Sequence, residues 1–169
     1  MKSLVVYFSR TGENSVGGNI EIITKGYTEI VAEKIAMYTG SEIYKLDPVE
    51  PYPENYMDCV ARARKEDMVN AKVEFKNPKE NLDDYDIIYL GFPNWYRSYP
   101  RVVATFLAKY SFVGKVIRPF CTNEEGAFGI GELELRSAVK GAIIKSGFAT
   151  RGYDAPTCDE KLLAWINKE

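Results

Sequence analysis

The sequence predicts an α/β fold, a three-layer sandwich on a doubly wound five-stranded parallel sheet. Three observations predict it. Short apolar runs alternate with segments of helical period, the runs are apolar on successive residues as strands buried on both faces are, and polar or glycine-rich loops separate them. Right-handed crossovers leave few other arrangements for this alternation. A chain of 169 residues has the length of one domain, so one domain is expected over 1–169.

Leu4 to Phe8 is a continuous apolar and aromatic run, read as the first strand, and it stops at Ser9-Arg10-Thr11-Gly12. Val31, Ile35 and Tyr38 share one helical face, with Thr28 placed to cap the start and Gly40 just past the end, which predicts a helix over 29–39. Glu42 to Leu46 forms a second strand. Pro48, Pro51 and Pro53 cannot extend it, because proline offers no ladder donor. From Asn55 the spacing of Tyr56, Cys59, Val60 and Ala63 is helical, and a polar segment over 76–84 leads to a strong strand at Ile87 to Phe92, expected at the centre of the sheet.

Pro100 then starts a helix that carries Val102, Val103, Phe106, Leu107 and Tyr110 along one face. Lys115 to Cys121 is the next strand. A loop over Thr122 to Gly129 precedes a helical stretch near 132–139, a strand near 142–145, and a last helix with Leu162, Leu163 and Ile166 that Thr157 is placed to cap.

Composition narrows the function. A formal net charge of -2 supplies no basic field for nucleic acid and no polybasic patch for a membrane surface. The apolar run at the amino end is too short to span a membrane and is followed by no secretory cleavage site, so a cytoplasmic setting is expected. The three cysteines, Cys59, Cys121 and Cys158, are far apart and form no Cys-x-x-Cys pair, which fits a reducing compartment. Histidine is absent, which excludes a Ser-His-Asp triad, a Cys-His protease and His-based zinc sites. Chemistry must come from a cofactor or from carboxylates.

In a doubly wound sheet the ligand site lies beyond the carboxyl ends of the strands, so the loops after strands one, three and four carry the candidates. In the first, Ser9, Arg10, Thr11 and Asn14 surround Gly12, a composition that either rings a phosphate with hydroxyl and N–H donors or makes an ordinary polar turn. No Gly-Lys-Ser/Thr follows, and Gly129-Ile130-Gly131 lacks the third glycine of a dinucleotide fingerprint. The second loop, Pro93, Asn94, Trp95 and Tyr96, sets aromatic rings beyond a central strand, where they either stack on a flat heteroaromatic ligand or pack on the next helix. The third contains Thr122, Asn123, Glu124, Gly126, Phe128 and Gly129. Its backbone N–H groups suit the polar edge of a ring, and it reads equally as a surface turn.

Taken together, Tyr7-Phe8-Ser9-Arg10-Thr11-Gly12, Gly91-Phe92-Pro93-Asn94-Trp95-Tyr96 and Pro119-Phe120-Cys121-Thr122 resemble the flavodoxin family over nearly the whole chain. The resemblance implies a flavodoxin-like sheet holding FMN. Its phosphate would lie at the first loop, lined by Ser9, Arg10, Thr11 and Asn14, and its isoalloxazine between Pro93 to Tyr96 and Thr122 to Gly129, with Trp95 or Tyr96 stacking. Arg97 would stabilise a reduced flavin if it pointed inward, and Glu124 and Glu125 would oppose it.

The chain departs from the family pattern at residues 13–25, an insertion between strand one and helix one. It is expected either as a small hairpin over the cofactor, built on Gly17-Gly18-Asn19, or as surface elaboration, and Thr28 would then help cap the phosphate.

The resemblance further implies an electron carrier working between redox partner proteins. The alternative is an FMN-dependent oxidoreductase passing hydride from NAD(P)H to a quinone or similar small acceptor. A flavin-free doubly wound binding module is the third reading. Its phospho-acceptor form needs carboxylates where this chain has Ser9 and Pro93.

Overall fold

Residues of alternating parity along three central strands serve two different cores, and that alternation produces the layers. A computed structural model describes residues 1–168. In chain order the first elements are β1 (Ser3–Tyr7), β2 (Gly12–Val16), β3 (Asn19–Ile23), α1 (Tyr27–Thr39), β4 (Glu42–Lys45) and α2 (Tyr56–Met68). They are followed by β5 (Ile87–Pro93), α3 (Arg101–Lys109), β6 (Val116–Asn123), α4 (Gly131–Ala138), β7 (Ile143–Ile144), β8 (Phe148–Arg151), a 3-10 turn (Gly152–Thr157) and α5 (Asp159–Ile166).

The main sheet runs β4-β1-β5-β6, and both β7 and β8 pair with the far edge of β6, all parallel. β5 is central, as expected. Leu4, Val6, Phe8, Ile88, Leu90 and Phe92 face the core shared with α3 and α4, where Val103, Phe106 and Leu135 are fully buried. Val5, Tyr7, Tyr89 and Phe120 face the other core, with Val31 and Ile35 of α1 and Leu162 of α5. Sealing both faces is what makes the strands read as unbroken apolar runs. Phe8, Phe92, Phe106 and Phe120 are among the largest fully buried side chains, and truncating one to Ala typically costs about 3–5 kcal/mol.

The fifth strand position differs from expectation, because two short strands share it. β7 pairs Ile143 with Val116, β8 pairs Phe148 with Phe120, and the register slips by one residue between them. Ile117 turns its carbonyl to this edge and accepts from Lys145 N–H, so Pro119, two residues on, faces the same way and has no N–H to give. The backbone at the break finds other partners. Gly147 N–H donates to Glu132 Oε1 at 2.9 Å, and Ser146 C=O accepts from Trp165 Nε1 at 2.8 Å.

Two helix starts also need correction. α1 begins at Tyr27 with Gly26 in the cap position, so Thr28 sits inside the first turn, and its hydroxyl pairs with that of Thr122 at 2.7 Å. Thr157 lies in the 3-10 turn and donates to the Asp154 carbonyl, leaving Cys158 before α5.

Residues 12–23 form an antiparallel hairpin. Its two-residue turn, Gly17-Gly18, takes φ of 59° and 86°, positive values that match the twist of paired strands and that glycine reaches without strain. Cys59, Cys121 and Cys158 are free and buried. Among the described residues no helix is long and apolar enough to cross a membrane, and no cluster of His, Cys, Asp and Glu suits a metal.

Two carboxylates tie elements together. Asp159 accepts from Lys34 Nζ and Tyr38 Oη, joining α5 to α1, and Glu42 accepts from Tyr85 Oη at 2.6 Å and Lys79 Nζ at 3.0 Å. The bond from Lys34 and then that from Tyr38 hold the Asp159 carboxyl below its ordinary range, as the bonds from Tyr85 and Lys79 do for Glu42. A carboxyl whose pKa is depressed on folding contributes stability above its unfolded pKa, and that contribution is lost as pH falls through the folded value. The Asp159→Asn/Glu42→Gln variant should therefore be less stable than wild type at neutral pH and lose less of its melting temperature on acidification below about pH 4. Thermal melts across that range read the difference.

Candidate functional site

From β1 the chain passes outward to β4 and returns on the other side to β5, so the winding reverses between β1 and β5. The loops there diverge and leave a crevice. Two adjoining depressions occupy it, of about 140 and 270 Å³. Together they reach the range of roughly 300–1,000 Å³ usual for small-molecule sites. The first is walled by all three candidate loops, through Ser9, Arg10 and Asn14, through Pro93, Asn94 and Trp95, and through Thr122, Asn123 and Glu124, with Thr28 beside them. Tyr96 joins Trp95 in the second.

One end of the crevice is built for negative charge. Ser9 is buried, and its Oγ accepts the Glu29 N–H at 3.2 Å. That bond satisfies one of the first-turn N–H groups of α1. Those of Tyr27 and Thr28 have no partner among the described residues, and both residues line the crevice at the positive end of the helix dipole. Gly26 brings the helix this close. A Cβ there would lie 2.0 Å from Ser9 Oγ and 2.7 Å from the Arg10 carbonyl.

Arg10 holds its guanidinium against backbone carbonyls only, those of Glu13, Pro53 (2.7 Å) and Glu54 (2.8 Å). Among the described residues no carboxylate pairs with it, so its charge is left for whatever enters the crevice.

The hairpin straps this end. At its root the Glu13 N–H donates to Glu54 C=O at 2.9 Å, while the Glu13 carboxylate accepts from Asn55 Nδ2 and Tyr56 N–H, both at 2.9 Å, at the start of α2. At its tip Gly18 N–H reaches Glu124 Oε2 on the opposite wall at 3.1 Å. Asn14 and Ser15 look into the space beneath.

The other end is aromatic. Trp95 stands edge-on to Phe8 and Tyr52, with ring centroids 5.3 and 4.9 Å away. Its backbone exchanges both hydrogen bonds with Ser98, which forces Tyr96 and Arg97 to φ of 50° and 69°. Left-handed backbone at two such residues is strained. It is held by the Tyr96 hydroxyl donating to Val60 C=O at 3.0 Å and by Ile130 N–H donating to Arg97 C=O at 2.7 Å. Asn94 ties the loops together, with its N–H on Thr122 C=O at 3.0 Å and Nδ2 on Ala127 C=O at 2.9 Å.

Not every candidate lines the crevice. Thr11 is exposed outside it. Gly126 belongs to an Asx turn in which Asn123 Oδ1 accepts the N–H groups of Gly126 and Ala127. Phe128 packs edge-on to Phe92 at 5.9 Å, and Gly129 abuts the Arg97 backbone. The sequence reading overlooked Ser15, Tyr27, Tyr56 and Gly152. Only Tyr27 carried a signal, as the neighbour of Thr28 at a helix start.

Burial raises the Tyr27 phenol, and the charges of Glu21 and Glu124 raise it further. Burial likewise pushes up the Cys59 thiol in the second depression, against the opposing pull of Arg10 and Arg62. The arrangement can hold an anion at one end and a flat ring at the other.

Gly26→Ala should cost about 1–3 kcal/mol, since the added methyl must displace the Ser9 hydroxyl or the Arg10 backbone. Urea titration of wild type and variant measures it.

Several solved structures that resemble the chain are flavoproteins. It shares 26% identity and a TM-score of 0.77 with a candidate flavoprotein from Bacteroides uniformis ATCC 8492, covering 99% of this chain and 98% of that one. A second, from Bacteroides eggerthii DSM 20697, is 24% identical with a TM-score of 0.70, over 96% and 98% of the two chains. A flavoprotein from Lactobacillus acidophilus NCFM, solved in complex with FMN, shares 18% identity at a TM-score of 0.63 over 98% and 99%, a likeness of fold. No curated protein matches the sequence. The family model described as flavodoxin matches residues 2–169, and the chain belongs to the flavodoxin family.

Proposed function

We propose that the chain binds FMN in this crevice and carries electrons between redox partners. One observation carries the reading: a single crevice joins an anion-binding end, made by Arg10 and the start of α1, to an aromatic wall at Trp95. That pairing suits a phosphorylated heteroaromatic and matches the ligand of the Lactobacillus relative.

In this reading Ser9, Arg10 and the N–H groups of Tyr27 and Thr28 hold the phosphate. Asn14, Ser15 and Asn123 face the polar chain, and Pro93, Asn94, Trp95 and Tyr96 frame the ring. Thr28 contributes its backbone, because its hydroxyl is engaged with Thr122. We assign Thr11, Gly126, Phe128 and Glu124 to shaping the loops and strap around the ligand, and Gly129 to letting two of those loops touch. FMN, when bound, supplies the electron chemistry. The protein's part is to orient it, shield it and set the charge around it.

Carrier and enzyme differ in what they need beyond the flavin. The carboxylate that lines the first depression, Glu124, is engaged by the Gly18 N–H of the hairpin, and this favours the carrier. Purified protein should be yellow or should take up added FMN, and a colourless protein that takes up none refutes the proposal. Arg10→Gln should weaken FMN about tenfold or more while changing riboflavin, which lacks the phosphate, much less. Equal losses for both ligands would show that Arg10 acts only on the hairpin. Trp95→Ala should shift the visible spectrum of the bound flavin. Steady oxidation of NADH or NADPH by wild-type protein with a quinone present would decide for the oxidoreductase.

A further inference from the structure

The outer stripe of α2 is apolar where a solvated helix face is normally polar. Met57, Met68 and Val69 are 67%, 73% and 66% exposed, and with Val60 and Ala61 they border a shallow groove of about 470 Å³. Tyr96, itself 44% exposed, closes the groove at the edge of the crevice, because the same residue lines the depression beside Trp95. The charged groups of the groove are Arg64 and Lys65, and neither has a carboxylate partner among the described residues. The carboxylates of α2 are not among the groove's lining residues. Glu66 is engaged by Arg62 and Tyr52, Asp67 lines an adjoining depression that meets the groove at Tyr96, and Asp58 stands beside Met57 in the first turn.

Exposed apolar surface of this kind is a liability unless something covers it, and the unpaired cations that line it select what does. We propose that this groove docks an acidic redox protein, which sets an apolar side chain on the methionine stripe and carboxylates on Arg64 and Lys65, beside the crevice. The proposal rests on the electron-carrier reading. It departs from the usual expectation that a carrier of net charge -2 presents acid to a basic partner, because the charged side chains that line this groove are both cationic.

The test uses FMN-loaded protein and two labelled probes, an acidic [2Fe–2S] ferredoxin and a basic cytochrome c, with binding read by fluorescence anisotropy. Ferredoxin should bind, and more weakly as salt rises. Arg64→Glu/Met68→Asp should weaken it about tenfold or more, with FMN affinity, visible spectrum and melting temperature unchanged. Met57→Glu, on the same stripe, should act in the same direction.

Preference for cytochrome c, no ferredoxin binding by wild type, or equal binding by the variants overturns the proposal. So does self-association in sedimentation runs that the double variant abolishes, which would give the face to a second copy of the chain. FMN uptake is measured separately. A protein that takes up FMN but ignores ferredoxin loses the docking surface alone, whereas one that takes up no FMN loses the carrier reading as well.

Discussion

A helix can present its first N–H groups to a ligand only if the loop beside it comes close without filling the space, and Gly26 meets that condition here. Its missing side chain lets the backbone of α1 settle on Ser9 and Arg10. From that contact follow the Ser9 cap on Glu29, the approach of the first turn to the crevice, and the placing of Thr28 on Thr122 beneath it. The loops after β1 and β6 are thereby locked to one helix before any ligand arrives. A site arranged in advance does not have to be ordered when its ligand binds.

The hairpin would be expected to disrupt such a site, since it separates the loop after β1 from the helix that the loop must meet. Instead its ends are held close. Arg10 and Glu13 bind the root to the segment before α2, and the strands return the chain to Gly26. The electrostatics follow from the same contacts. Arg10 spends its hydrogen bonds on carbonyls and keeps its charge, while the Glu13 carboxylate is consumed at the start of α2, so the anion-binding end stays positive inside an acidic protein.

Parts of this were legible in the sequence because they depend on neighbours along the chain. Apolar runs mark strands that the sheet buries on both faces, and Gly17-Gly18 marks a two-residue turn. Elsewhere local signals misled. Thr28 and Thr157 have the side chains of helix caps, but one hydroxyl is claimed by Thr122 from another strand and the other by a 3-10 turn. The split fifth strand was hidden because its cause, Pro119, lies on the neighbouring strand.

Strand burial and turn chemistry are written in local periodicity, so the alternation of strands and helices, the central place of β5 and the three loops that carry the candidate residues can all be read along the chain. Which of those residues share the crevice follows from contacts between distant segments. Phe128 turned to the core, Thr11 to solvent, and Ser15 came in on the hairpin and Tyr56 on the first turn of α2. Such contacts also leave Arg10 with an unpaired charge. Whether a side chain is spent on the fold or left for a ligand depends on partners more than forty residues away, such as Pro53 and Glu54 for Arg10, and spacing along the chain does not encode them.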